Sequence, residues 1–503
     1  MTTTRAEFDA ARGNGPVVTV LRSVFVDAVS PVALYEHLTG ARPGTFLLES
    51  AEQGGIWSRY SFVGLSSWGC LTETDGTTEW IDYGLSADRA FGGEIPSTRL
   101  NALDTLYARW ASPVNTELPP LTSGLVGYLG WDTIRELEDL PDAPPNESGV
   151  PAQSMVFVRD LLVLDHRTSV IHVCTAVLNE GDADKEWADA QERITSMVKS
   201  LDTAIPLAPL DPPVLATPQY RTRTEPTEFL KAVNASKHYI REGDVFQVVI
   251  SQRFDAEVTA RAVDVYRMLR ALNPSPYMYL LALETPAGTA FEVVGSSPEA
   301  LVKVDNGRVF SHPIAGSRPR GATPELDVEL AEGLLADAKE RAEHLMLVDL
   351  ARNDLSRVCA PGSVEVTEFM TIERFSHIMH LVSSVEGDLA EGQSPVDVFR
   401  STFPAGTLSG APKPRALQII DELEPASRGV YGGVVGYVGF GGDADLAIAI
   451  RTAVIVGDTA TVQAGAGLVA DSVPQSEYDE TVHKAAAPLR ASASANALTR
   501  AID

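Results

Sequence analysis

The sequence predicts an α+β protein, on three observations. Most of residues 17–178 reads as short β-rich segments punctuated by Gly, Pro, Asp and Ser. Beyond residue 226, helical periods alternate with strand-like runs. The stretch from Leu446 to Leu489 reads as strand, strand, glycine turn and helix. With 503 residues and 44% hydrophobic content, the chain can bury a large core spread over roughly two to four domains.

Taken in order, VVTVLRSVFVD, TFLLES, RYSFVGLSSWGC, TEWIDYG, MVFVRDLLVLDH and SVIHVCTAVL are strand-like, and SPVALYEHLTG between them is helical. Gly124-Leu-Val-Gly-Tyr-Leu-Gly-Trp131 is nearly repeated as Gly433-Val-Val-Gly-Tyr-Val-Gly-Phe440. The pair reads either as related strands in two halves of the chain or as glycine-rich strands packed close to another backbone. Around Leu201 to Pro226 the chain is proline-rich (Pro206, Pro209, Pro212, Pro213, Pro218) and loses periodicity. That stretch, 201–226, is the expected linker between an N-terminal domain, 1–200, and a C-terminal domain, 227–503.

In the C-terminal part, Phe229, Leu230, Val233 and Ile240 follow a helical period that Gly243 closes. DVFQVVISQRF reads as a strand. A second helix leads into LNPSPYMYLLAL, whose prolines force an extended bend. FEVVGSSPEALVKV and RVFSHPIAGSRPRG supply further strands. Thr323 and Pro324 then open what reads as the longest helix, 324–358, with Leu334, Leu335, Leu345, Val348 and Leu355 toward a core and Glu343 and Asp349 off that stripe. A carboxylate such as Glu343 on a rigid helix suits a metal ligand or simply a solvated face.

In the closing stretch Arg451 lies inside a strand, and Gly465-Ala466-Gly467 offers bare amides where an anion can approach. Ser472 and Gln475 have capping-box spacing, and Pro474 suits a first helical turn. Glu477, Glu480 and Lys484, spaced by three and four, share one helix face. Two readings stand: a site for a multiply charged anion with a divalent metal, or a surface helix with a Glu–Lys pair after a tight hairpin.

Composition limits the partners. A formal charge of −28, from 40 basic and 68 acidic residues, argues against nucleic acid or an anionic membrane. Cys70, Cys174 and Cys359 are too few and too scattered for a disulfide framework or a Cys-type zinc site. The opening MTTTRAEFDAARGNG lacks the apolar core of a signal peptide, so a cytoplasmic protein is expected.

The strings PIAGSRPRG, LMLVDLARNDL, SHIMHLVSSVEG, GTLSGAPKPRA, YGGVVGYVGF, AIRTAVI and AGAGLVADSVPQSEYDET resemble motifs of the chorismate-utilising enzymes, and within them the large-subunit (component I) anthranilate synthases. The likeness is dense from Phe229 to Leu489 and reaches LLES at Leu47–Ser50. It implies large antiparallel β-sheets packed as a sandwich with helices outside, and a chorismate-binding catalytic domain behind an N-terminal regulatory one. It further implies Mg²⁺ held by Glu343 and Glu480 with Glu477 close by, an oxygen-donor set that suits magnesium. Substrate contacts would come from Gly316, Ser317, Tyr431, Arg451, Gly465, Ala466, Gly467 and Lys484. Glu299 would be the acid for the departing hydroxyl, His380 would serve the aromatising stage, and Thr407 would line the site. Taken alone, His380 reads more readily as a core histidine with a satisfied hydrogen bond than as a catalytic group.

The implied reaction converts chorismate and ammonia to anthranilate and pyruvate in tryptophan biosynthesis. Two departures from the relatives favour it. Gln247 stands where water-activating relatives carry lysine, and a glutamine is no base. Ala315 stands where para-aminating relatives carry lysine, and an alanine is no nucleophile. A feedback pocket for L-tryptophan is implied at Glu49, Ser50, Pro276, Tyr277, Met278, Val435 and Tyr437. Cys70 lacks a nucleophile elbow and no glutaminase signature is present. Ammonia is therefore expected from a glutamine amidotransferase subunit, component II, in a heterotetramer of two large and two small subunits. The alternatives are an aminodeoxychorismate synthase component I and a non-catalytic tryptophan-binding regulator on the same fold.

Overall fold

The computed structural model describes all residues except 27–28, 51–58, 204–206, 208–210, 212–214, 375–377 and 500–503. Linker prolines Pro206, Pro209, Pro212 and Pro213, and the first two residues of SHIMHLVSSVEG, fall outside the described residues.

Two long strands, Tyr60–Thr74 and Gln153–Asp165, pair along most of their length and form the spine of one continuous sheet. One arm continues from the spine through Thr45–Glu49, Tyr277–Glu284, Ala290–Ser297, Thr452–Val456, Thr459–Leu468 and Gln247–Glu257. The other runs through Gly124–Leu129, Val434–Gly439, Ala444–Ile448, Ala300–Asp305, Arg308–Ser311 and Ile378–Asp388. Among the described residues every strand pair in these arms is antiparallel. The arms close on each other: Phe46, Tyr279, Leu281 and Phe291 of the first share a buried cluster with Val126, Tyr128, Val435 and Tyr437 of the second. This is the expected α+β sandwich, built from one folded sheet. Helices cover its outer faces, as where Val265 and Leu269 pack with Leu280 and Val294.

The sheet crosses from residues before the linker to residues after it, at Thr45–Glu49 against Tyr277–Glu284 and at the two glycine-rich strings. Those strings lie side by side with Gly127 opposite Gly436. A Cβ on Gly127 would come within 1.9 Å of the Ser154 carbonyl oxygen, so both readings of the repeat hold: paired strands, and close backbone approach. Among the described residues no helix is long and apolar enough to cross a membrane.

Three local expectations are corrected. The predicted 324–358 helix is two helices, Pro324–Ala336 and Ala338–Ser356. Asp337 leaves helical geometry, and its carboxylate accepts the Lys339 and Glu340 N–H groups, capping the second helix. Of the stripe, Leu334, Val348 and Leu355 are buried but Leu345 is exposed, because the second helix starts afresh in its own phase. Gly465–Gly467 lies within the strand Thr459–Leu468, opposite Ser251, Ile250 and Val249, and is no turn. The glycines make room for neighbours: a Cβ on Gly465 would lie 2.8 Å from the Tyr431 hydroxyl, and one on Gly467 2.7 Å from the Gln247 amide nitrogen. The capping box at Ser472 does not form. The helix Pro474–Asn496 begins after Val473, and the Ser472 hydroxyl accepts the Val469 N–H at 3.0 Å to close the preceding turn.

Candidate active site

Glu299 sits in the short link between strands Ala290–Ser297 and Ala300–Asp305. Its N–H points to the Ser297 hydroxyl at 3.3 Å, and its carbonyl accepts the Ile448 N–H at 2.9 Å. The side chain is thus delivered where the chain passes from one arm of the sheet to the other. The Thr407 hydroxyl donates to the Glu299 carboxyl at 2.9 Å. Burial pushes this carboxyl up to about 7, while the Thr407 bond and the charges of Lys484 and Arg451 pull the other way. Desolvation wins, so the group is substantially protonated near neutral pH. A cavity of about 460 Å³ opens beside Glu299 and Thr407, walled by Leu347, Ala351 and Asp354 of the Ala338–Ser356 helix.

Arg451 lies not inside a strand, as expected from the sequence, but in the link between Ala444–Ile448 and Thr452–Val456, because it adopts φ +50, the left-handed region that few non-glycine residues occupy and that breaks an extended run. Its carbonyl accepts the Ser296 N–H at 3.2 Å, and its guanidinium reaches the Asn273 amide oxygen at 3.5 Å. Burial holds its pKa below the ordinary value and Glu299 opposes this. A guanidinium largely out of water gains from a carboxylate bound in a fork.

His380 lies opposite Ser317 in the pairing of Ile314–Pro319 with Ile378–Asp388, and its Nδ1 is 3.0 Å from the Gly316 carbonyl. A carbonyl only accepts, so Nδ1 carries the proton and Nε2 is the basic nitrogen. Burial lowers the His380 pKa, against the Gly316 bond. Gly316 itself has φ +64 and packs against Glu340. Ser317 is exposed. Lys484 donates to the Gly465 carbonyl at 3.1 Å and lies 2.7 Å from Glu480. Tyr431 is buried, its hydroxyl beside the Gly465 backbone, and burial raises its pKa. Ala466, between the two glycines, is buried.

The three glutamates come from two helices, Glu343 from Ala338–Ser356 and Glu477 and Glu480 from Pro474–Asn496. Burial raises Glu343 and Glu477, and the charge of Glu480 raises both further, against Lys484 and Lys339. Among the described residues no group of three or more His, Cys, Asp or Glu is gathered tightly enough to hold a metal ion. Glu480 instead spends an oxygen on Lys484. The donor chemistry nevertheless fits magnesium: oxygen ligands only, and carboxylates whose mutual repulsion a divalent cation would relieve.

A second cavity, of about 670 Å³, lies between the arms of the sheet. Glu49, Ser50, Pro276, Tyr277, Met278, Val435 and Tyr437 all line it. The Glu49 carboxylate is already engaged, accepting from the Tyr266 hydroxyl at 2.8 Å and from Arg270 at 2.8 and 2.9 Å. Sequence reasoning missed Asp445 and Lys303 in this wall. Burial pushes Asp445 up to about 6, against Lys303 and Tyr277, and its Oδ1 is buried without a hydrogen-bond partner. It also missed Asn273, although that residue opens the NPSPYM bend.

A family model described as chorismate binding enzyme matches residues 73–490. Anthranilate synthase component 1 of Arthrobacter globiformis is 49% identical over 499 residues, spanning 98% of this chain and 93% of that protein. Its counterpart in Mycolicibacterium smegmatis is 47% identical over 505 residues, spanning 99% and 95%. Among solved structures, anthranilate synthase component I from Streptococcus pneumoniae superposes with a TM-score of 0.75 at 36% identity, covering 93% of this chain and 99% of that one. The menaquinone-specific isochorismate synthase from Escherichia coli shares the fold, with a TM-score of 0.69 at 19% identity and 95% coverage of each chain.

Proposed function

The chain belongs to the chorismate binding enzyme family, and on that premise we propose that it is the aminating subunit that converts chorismate and ammonia to anthranilate and pyruvate in tryptophan biosynthesis. The Glu299–Thr407 pair carries the reading: a buried carboxyl raised to about 7 is a proton donor at neutral pH, within the electrostatic reach of Arg451 and Lys484. Arg451 and Lys484 take the carboxylates of the substrate, Lys484 standing against the Gly465–Gly467 strand through the Gly465 carbonyl. Ammonia adds at carbon 2 as the hydroxyl leaves carbon 4 with the Glu299 proton, giving water and aminodeoxyisochorismate. Loss of the enolpyruvyl group as pyruvate then aromatises the ring; in this reading His380 takes the ring proton, and the enolpyruvyl methylene gains one to become the methyl of pyruvate. Glu343 and Glu480 would hold Mg²⁺, with Glu477 acting through water. When bound, the ion neutralises a substrate carboxylate. Gln247, beside Gly467, supports amination over hydration because its amide cannot take a proton from water.

Ammonia comes from a separate glutamine amidotransferase subunit in this reading, in a cytoplasmic heterotetramer. The cavity between the sheet arms takes L-tryptophan, which biases the chain toward a form that handles chorismate poorly. The test is direct: the purified chain with chorismate, an ammonium salt and Mg²⁺ should yield fluorescent anthranilate and pyruvate without an added lyase. Accumulation of aminodeoxychorismate instead would move the chain to the para-aminating relatives. Turnover with glutamine and no second subunit would remove the proposed partner.

A further inference from the structure

Arg428 and Glu424 form an ion pair that is 3% and 4% exposed and belongs to none of the groups assigned above. The Arg428 Nε and Nη2 donate to Glu424 at 2.9 and 2.7 Å. Other donations go to backbone: Nη1 to the Leu408 carbonyl at 2.7 Å and Nη2 to the Val249 carbonyl at 2.8 Å. Glu424 in turn accepts the Ser251 N–H at 2.7 Å and its hydroxyl at 2.8 Å. The guanidinium carbon lies 4.2 Å from the Trp131 ring centre and 5.6 Å from that of Tyr431.

Each partner is one step from a residue of the site. Leu408 follows Thr407, the donor to Glu299. Val249 and Ser251 stand across the sheet from Gly467 and Gly465. The Arg428 carbonyl accepts the Tyr431 N–H at 3.2 Å. A buried ion pair contributes little net stability, since apolar replacement of both partners is often neutral or better. What a fork of donors spread over several carbonyls does supply is geometry.

We propose that Arg428, oriented by Glu424, is a positioning residue that locks the Thr407 loop, the Gly465–Gly467 strand and Tyr431 in one register so that Thr407 meets Glu299. The inference rests on the functional reading above, with Glu299 as the acid. A lysine cannot replace Arg428, because one ammonium does not span carbonyls on two segments while holding a carboxylate.

The test uses ammonia-dependent anthranilate formation by full-length Arg428→Lys, Thr407→Val, their combination, Arg428→Met/Glu424→Leu and Glu299→Gln. Arg428→Lys and Thr407→Val should each lower kcat about tenfold, and the combination should cost less than about twofold beyond either, because both break the same contact. The paired apolar variant removes both charges together, so it should fold and show the same loss of kcat. Multiplicative losses, a paired variant within about twofold of the parent, or failure of both Arg428 variants to fold would overturn the proposal by making the pair merely structural. Glu299→Gln separates the two ideas. If it keeps full activity, the functional reading falls; if it is inactive while Arg428→Lys is unaffected, only the positioning role falls.

Discussion

Replacing Glu299 by glutamine should abolish amination and also flatten the response of stability to pH. The Glu299 carboxyl rises from 4.5 to about 7 because folding buries it. Its folded pKa exceeds its unfolded one, so the folded chain binds more protons. Its favourable contribution is therefore fully present below about 4.5 and is lost as pH rises through about 7. At about 1.4 kcal/mol per pH unit, linkage makes that loss about 2 kcal/mol between roughly pH 5.5 and 8.5. A glutamine has no proton to lose. Urea unfolding followed by fluorescence of the six tryptophans, at about pH 5.5, 7 and 8.5, should show the parent falling about 2 kcal/mol further than Glu299→Gln across the window. Asp445, raised to about 6, titrates in both proteins and cancels in the difference. In the parent, kcat/KM should decline as pH passes about 7. Parallel stability curves would refute the idea that Glu299 is protonated in the folded state.

Four further outcomes are expected. Glu480→Gln should raise the Mg²⁺ needed for half-maximal anthranilate formation roughly ten- to hundredfold, the worth of a charge-assisted contact; an unchanged requirement removes Glu480 as a ligand. Asp445→Asn should raise the L-tryptophan concentration for half-inhibition at least about tenfold, because it deletes the charge of the buried, unpartnered oxygen available to a ligand ammonium. Asp337→Ala should cost about 1 kcal/mol in urea unfolding by removing the cap of the helix that carries Glu343. Gly127→Ala should cost about 3 kcal/mol or prevent soluble expression, since its methyl would meet the Ser154 carbonyl.

How much could be read from the sequence depended on how local each cause was. Strands such as Val17–Phe25 and Val170–Leu178 follow from β-branched residues between turn formers, and both were legible. The break at Asp337 was not, because Leu, Ala and Glu favour helix on both sides and one carboxylate turning to cap the next helix decides the matter. Gly465–Gly467 was misread as a turn because the reason for its glycines lies more than 200 residues earlier, at Gln247, and at Tyr431. Glu299 and His380 carry no local signature and were picked out by resemblance alone. Lys303 and Asp445 were missed because their signal is burial in a shared cavity, which no window of sequence contains.

The folded-over sheet also sets a timetable for synthesis. Thr45–Glu49 finds its second neighbour only when Tyr277–Glu284 has been made, and Gly124–Leu129 waits for Val434–Gly439 near the end of the chain. Until then the nascent N-terminal half carries open hydrogen-bonding edges on apolar strands, a surface that invites pairing with other chains. Contacts of such long sequence separation close slowly. This architecture therefore makes completion of the polypeptide, and not the appearance of its N-terminal half, the event that ends its exposure to aggregation.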